Sequence, residues 1–230
     1  GYNVAVGYYA LSANTGNYNT AVGRQALKAN IGGERNVAVG YDALLNANAS
    51  YNTAIGMHAL NATTTGDSNT ALGYNSLVAN TEGGRNTAVG VYANDACTIG
   101  DYNTSLGYNA LTTDVDGDFA TALGYAALAN QESDGANQSV WNTAVGANAG
   151  SALTTGINST LIGAYAGGSG AITGDNNTAL GTDALRSVTT GTNNIAIGVG
   201  ASYTTTAITT GAQDMQTIVS VLVRVLLIRQ

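Results

Sequence analysis

Close copies of one pentapeptide, Asn86-Thr87-Ala88-Val89-Gly90, run almost the full length of the chain. Their closing glycines are Gly7, Gly23, Gly40, Gly56, Gly73, Gly90, Gly107, Gly124, Gly146, Gly163, Gly181 and Gly198. Successive intervals are 16, 17, 16, 17, 17, 17, 17, 22, 17, 18 and 17 residues. A near-fixed period of this size means one small unit stacked on itself. It points to a single elongated body rather than two globular domains.

Positions within a copy are numbered here from its glycine, position 0. Asparagine occupies −4 in ten of twelve copies: Asn3, Asn19, Asn36, Asn52, Asn69, Asn86, Asn103, Asn142, Asn177 and Asn194, with Ala120 and Ser159 as exceptions. Position −3 is Thr, Val or Ile, and −2 is Ala in ten copies. Every −1 residue is a branched aliphatic, and +3 is Ala in eleven copies, followed by Leu in eight. Alternation with β-branched residues before the glycine predicts a short strand. The glycine permits a bend, and the x-x-Ala-Leu run after it predicts a second extended segment. Thr/Gly/Asx tracts such as Thr63-Thr64-Thr65-Gly66-Asp67 then supply turn chemistry. A helix is excluded, because Gly, Asn and Thr at this density are poor helix formers and no 3.6-residue stripe persists.

The fold class expected is all-β: a parallel β-solenoid or β-roll of about twelve coils, each ~17 residues. Coils one strand spacing apart, ~4.8 Å, would make a rod roughly 60 Å long. Each position then becomes a ladder of like residues. The −1 aliphatics are expected to fill the interior, and the −4 asparagines to hydrogen-bond along the stack. The alanine columns at −2 and +3 are expected to meet a neighbouring chain closely, which makes the rod an oligomer. Residues 1–203 form the repeat body, and 204–230 a degenerate final coil with an apolar C-terminal segment, Ile218 to Ile228.

Charged residues are only 9% of the chain and the net charge is −7. Seven basic residues in such a chain argue against a nucleic-acid partner. Cys97 is the only cysteine, so no intrachain disulfide forms. No run is long enough to cross a membrane as a helix, and no membrane insertion is expected. The start at Gly1 is read as that of a processed product or a fragment.

The repeated NTAVGxxAL unit resembles the head repeat of trimeric autotransporter adhesins. It is at least as similar to repeats in phage tail-fibre and receptor-binding proteins. The resemblance covers about Gly1 to Tyr203, though the period is longer than the adhesin's and the xxAL ending is closer to the phage repeats. It implies a homotrimeric, left-handed β-roll that serves as a surface fibre, on a virion tail or on a cell surface. The partner implied is a host-surface polysaccharide or glycoprotein.

Function would sit where the repeat is irregular. The 22-residue interval holds an insertion running from Ala129 to the sole tryptophan, Trp141. Insertions in solenoids loop out on one face, often the binding face. Trp141, Glu132, Asp134, Asn137 and Gln138 are therefore the candidate ligand-binding residues, set against the plainer reading of a surface bulge. Two aromatic columns, at −5 (Tyr2, Tyr18, Tyr51, Tyr102, Phe119, Trp141, with Arg35 and Arg85 interleaved) and at +1 (Tyr8, Tyr41, Tyr74, Tyr108, Tyr125), stabilise the rod or line a glycan strip. Asp114, Asp116 and Asp118 are a candidate calcium loop, though one lacking the distant Glu of the EF-hand pattern. No metal or cofactor is expected otherwise.

Catalysis has little support: His58 is the single histidine, and no nucleophile–base or metal-ligand pattern occurs. The first reading is thus a structural and adhesive fibre segment of a phage tail, with a bacterial adhesin head as the alternative. From a different class comes an ice-binding solenoid with outward threonines at −3. Against it stand Val4, Val37 and Ile195, which argue that this position faces inward. A fibre-borne polysaccharide depolymerase is third.

Overall fold

The computed structural model describes residues 1–135 and 138–201, together with the backbone of 217–219. Asn137 of the insertion and most of the 204–230 segment therefore lie outside the described residues. The chain forms strands β1 (Val4–Val6), β2 (Thr20–Val22), β3 (Val37–Val39), β4 (Thr53–Ile55), β5 (Thr70–Leu72), β6 (Thr87–Val89), β7 (Thr104–Leu106), β8 (Thr121–Leu123), β9 (Thr143–Val145), β10 (Thr160–Ile162), β11 (Thr178–Leu180), β12 (Ile195–Ile197) and β13 (Thr217–Val219). They lie in sequence order in a single sheet, each parallel to the next. Register follows the repeat, so that Thr70 pairs with Thr87, Ala71 with Ala88 and Leu72 with Val89. This is the parallel β-solenoid that the period requires. A thirteenth rung follows the last motif, since β13 pairs with β12.

Position 0 can only be glycine, for two separate reasons. Gly90 has φ +137°, a region that side chains rarely enter. A Cβ there would also sit 2.4 Å from the carbonyl oxygen of Gly107 on the next rung. The same close approach recurs up the stack, for example at Gly56 beneath Gly73.

The segment after the glycine is not a second strand. It is a pair of consecutive turns: Ala26 N donates to Gly23 O, and Asn30 N to Leu27 O. Positions +2 and +4 are left-handed, as at Gln25 (φ 59°) and Leu27 (φ 50°). Leucine is a poor residue for that region. It is kept at +4 because that position turns into the interior: Leu27, Leu44, Leu60, Leu77, Leu111 and Leu128 are all fully enclosed.

The interior also differs from the sequence expectation. The −2 alanines are enclosed within their own chain (Ala21, Ala38, Ala54, Ala71 and Ala88 at 0% exposure), and so are the +3 alanines from Ala26 onward. They are therefore not a contact surface for another chain. The −1 aliphatics point out instead: no member of that column is buried, and Leu106 is 52% exposed. Alternation along a strand decides only which residues share a face. Volume decides which face goes inside. A coil this small holds one leucine from +4 and leaves room at −2 for a methyl group.

The irregular coils show that rule by exception. At +4 of the ninth and tenth coils stand Gly150 and Gly167, and at −2 of the tenth stands Leu161, 1% exposed. A Cβ at Gly150 would lie 3.0 Å from Leu161 Cδ1, and one at Gly167 equally 3.0 Å. Leu161 thus fills from the strand side the space that leucine fills elsewhere from the turn.

The −4 asparagines join the rungs. Asn86 N donates to Asn69 Oδ1 at 2.9 Å, while Asn86 Nδ2 donates to Gly100 O at 2.7 Å. Asn52, Asn69 and Asn103 repeat both contacts. Each amide side chain satisfies one backbone donor and one backbone acceptor that the narrow interior would otherwise strand.

Candidate functional site

Because −4 and −2 face inward, −5, −3, −1 and +1 lie side by side on the outside. The sheet therefore presents a regular strip: a threonine column at −3, an aliphatic column at −1, and an aromatic column on either side. Nine of the twelve −3 residues are threonine, and none of the twelve is buried. Val37 and Ile195 sit in this outward column too, so their presence is no sign that the position faces inward. No ionisable group occurs at −3 or −1 along the whole strip.

The −5 column is zipped along the rod axis. Arg35 places its guanidinium 5.4 Å from the rings of both Tyr18 and Tyr51. Further along, Arg85 lies 5.2 Å from Tyr102. Tyr102 stacks on Phe119 at 4.9 Å and 4°, and Phe119 on Trp141 at 4.1 Å and 7°. The rings thus turn their faces to one another and their edges to solvent. At the second column Tyr108 and Tyr125 stack at 5.7 Å, while Tyr92, at +2 beside Val91, packs edge-on between Tyr74 and Tyr108. Tyr41 packs edge-on against His58, which is half-buried. The phenol of Tyr92 is pushed up by its hydrogen bond with Tyr74.

The insertion is anchored at its base by a buried carboxylate. Asp114 is 2% exposed. Its Oδ1 accepts from Gly117 N, Ser133 N and Ser133 Oγ at 3.1, 3.2 and 3.0 Å, and its Oδ2 from Gln131 Nε2 at 2.8 Å. Gln131 Oε1 in turn accepts from Asn142 Nδ2 at 3.0 Å. Burial pushes the Asp114 carboxyl above the ordinary carboxylate range.

The candidate residues of the insertion are held by different neighbours. Asp134 N donates to Gln138 Oε1 at 2.9 Å, closing the loop on itself. Glu132 is exposed and its amide donates to Thr154 O at 3.1 Å, on the following coil. Trp141 belongs to the −5 stack, where Phe119 covers one face of its indole. A sugar stacking on Trp141 would have only the opposite face.

Asp114 and Asp116 share the Ser133 hydroxyl, but Asp118 does not join them. Asp118 Oδ1 instead accepts from Asp101 N at 2.7 Å. Among the described residues no cluster of His, Cys, Asp or Glu is arranged to hold a metal ion. Asp118 belongs to a set that sequence reasoning missed. At −6, Asp67, Asp101, Asp118 and Asp175 each accept the backbone N–H of the −6 residue one rung earlier. Recurrence of Asp six residues before the motif glycine was the available signal. Cys97 is enclosed and its thiol is pushed up to about 12 by burial, so it is unreactive.

Among the described residues no helix is long and apolar enough to cross a membrane. No known family model and no curated protein matches the chain.

Proposed function

We propose that the chain is a rigid segment of a homotrimeric adhesive fibre, carried on a phage tail and directed at a host-surface polysaccharide or glycoprotein; a bacterial adhesin head is the alternative setting. One observation carries the reading: an uncharged Thr/aliphatic strip twelve rungs long and turned outward. Long continuous apolar strips mark interaction surfaces. A repeating strip is best covered by a partner that repeats with the same period, and another copy of the same rod meets that requirement. The sheet strip replaces the alanine columns as the surface through which protomers would pack.

Light scattering on the purified chain tests this. A mass near three times the 23.0 kDa chain is expected, falling to one chain in the Val89→Glu/Leu106→Glu double variant. A monomeric wild-type rod would defeat the proposal.

The outward −3 column favours a second reading, because it removes the objection to ice binding. Threonine and aliphatic columns on a regular sheet would offer ice an ordered array of hydroxyl and methyl groups. The two readings compete for the same strip. A measurable thermal hysteresis in a monomeric rod would select ice; its absence in a trimer would select the fibre.

A further inference from the structure

Where the insertion leaves the rod there is an open cleft of about 380 Å³, lined by Asn130, Ser151, Ala152, Thr154, Gly168, Gly170 and Ala171. That volume falls in the range that small ligands occupy, roughly 300–1,000 Å³. It exists because the eighth to tenth coils are irregular: the intervals there are 22, 17 and 18 residues, and Gly167-Gly168-Ser169-Gly170 replaces the usual turn.

The lining offers unpaired polar groups of both kinds. Asn130 Nδ2 donates to Ser151 O at 2.6 Å, which fixes the amide and leaves its Oδ1 as an acceptor. The Ser151 hydroxyl and the backbone N–H groups of Gly170 and Ala171 take part in no hydrogen bond among the described residues. The surrounding loop is fixed, since Ile172 N donates to Ala152 O at 2.7 Å and Thr154 Oγ1 to Ile172 O at 3.1 Å. None of the lining residues is charged. Glu132, bound through its amide to Thr154 O, stands next to the cleft. With a chain charge of −7, that carboxylate disfavours an anionic ligand.

We propose that this cleft binds one uncharged sugar unit, its hydroxyls paired with Asn130 Oδ1, Ser151 Oγ and the amides of Gly170 and Ala171. The proposal rests on the adhesive reading and moves its ligand site from Trp141 to the cleft beside the insertion. A pyranose carries donors and acceptors around its whole rim, matching a lining that mixes both. The glycines let the backbone itself approach the ligand.

Saturation-transfer NMR with methyl α-glucoside, methyl β-galactoside and N-acetylglucosamine as probes, and N-acetylneuraminic acid as an anionic control, tests the site. Transfer to at least one neutral probe is expected, and much weaker transfer to the anionic control. Ala171→Phe, at an exposed position, fills the cleft and should abolish transfer. Ser151→Ala should weaken binding several-fold, and Trp141→Ala should leave it unchanged. Overturning results are no transfer to any neutral probe, equal transfer to the anionic one, transfer that survives Ala171→Phe, or transfer lost in Trp141→Ala. Light scattering on the same sample separates the two ideas: a trimer without sugar contact sinks the cleft and spares the fibre.

Discussion

Single side chains here are judged by what they do for the adjacent rung. Asn86 joins a backbone donor and a backbone acceptor that have no water to turn to. Asn86→Ala would leave Asn103 N unpaired inside and Gly100 O with only the weak Cys97 thiol donor, at about 1–3 kcal/mol for the orphaned amide. A chemical-denaturation midpoint lowered accordingly checks this. Asn94 makes the converse case. It occupies the +4 core position between Leu77 and Leu111, is fully buried, and neither polar atom of its amide has a partner. Asparagine tolerates the left-handed backbone (φ 50°) better than leucine, but its amide is stranded. Asn94→Leu, of nearly the same shape, is expected to raise stability by about 1–2 kcal/mol, read from the same denaturation curves. A neutral or lower midpoint would show that the backbone preference outweighs the buried amide.

Elements in this fold are interchangeable only if the interior volume balances, and Leu161 is where that balance shows. Leu161→Ala should open a cavity beside Gly150 and Gly167 and cost about 2–5 kcal/mol. Adding Gly150→Leu restores the leucine from the turn side, as in the regular coils, and should recover part of the loss. Thermal melts of the two variants decide it. The same balance explains how far the sequence could be read. Period, strand positions, glycine bends and the asparagine column were legible because each is fixed by a residue type with one dominant use. Inside and outside were not. Both −2 and −1 are apolar, so pattern alone cannot rank them, and the larger residue looks like the core residue until the width of the coil is known. The turn after the glycine was hidden as well, because leucine at +4 contradicts the left-handed backbone it occupies. At the insertion the outward loop was legible. The buried Asp114 was not, since an acid in a turn reads as solvated, nor was the cleft, which depends on glycines two coils further on.

Across the whole molecule the acids set the response to pH. Burial raises the carboxyls of Asp114, Asp118 and Asp95, with only neutral donors or other acids against Asp114 and Asp118. A raised folded-state pKa means the folded rod holds those protons more tightly than the unfolded chain. Their stabilising contribution is therefore complete below the ordinary carboxylate range near 4 and is lost as pH rises through the raised values. The rod should melt at higher temperature near pH 5 than at pH 8, and Asp114→Asn should shrink that difference. Equal melting temperatures in wild-type protein would mean that these groups titrate normally.

Nearly every backbone hydrogen bond outside the turns runs to an adjacent rung, so one coil meets the next through the same contacts throughout the regular stretch. Length is then a quantised property. Removing residues 74–90, one full period, would bring Gly73 into the place of Gly90 and shorten the rod by a single strand spacing, about 4.8 Å. Lineages or engineers could set the reach of such a molecule by whole-period deletion and duplication, as a telescope is set by its sections, without redesigning any joint.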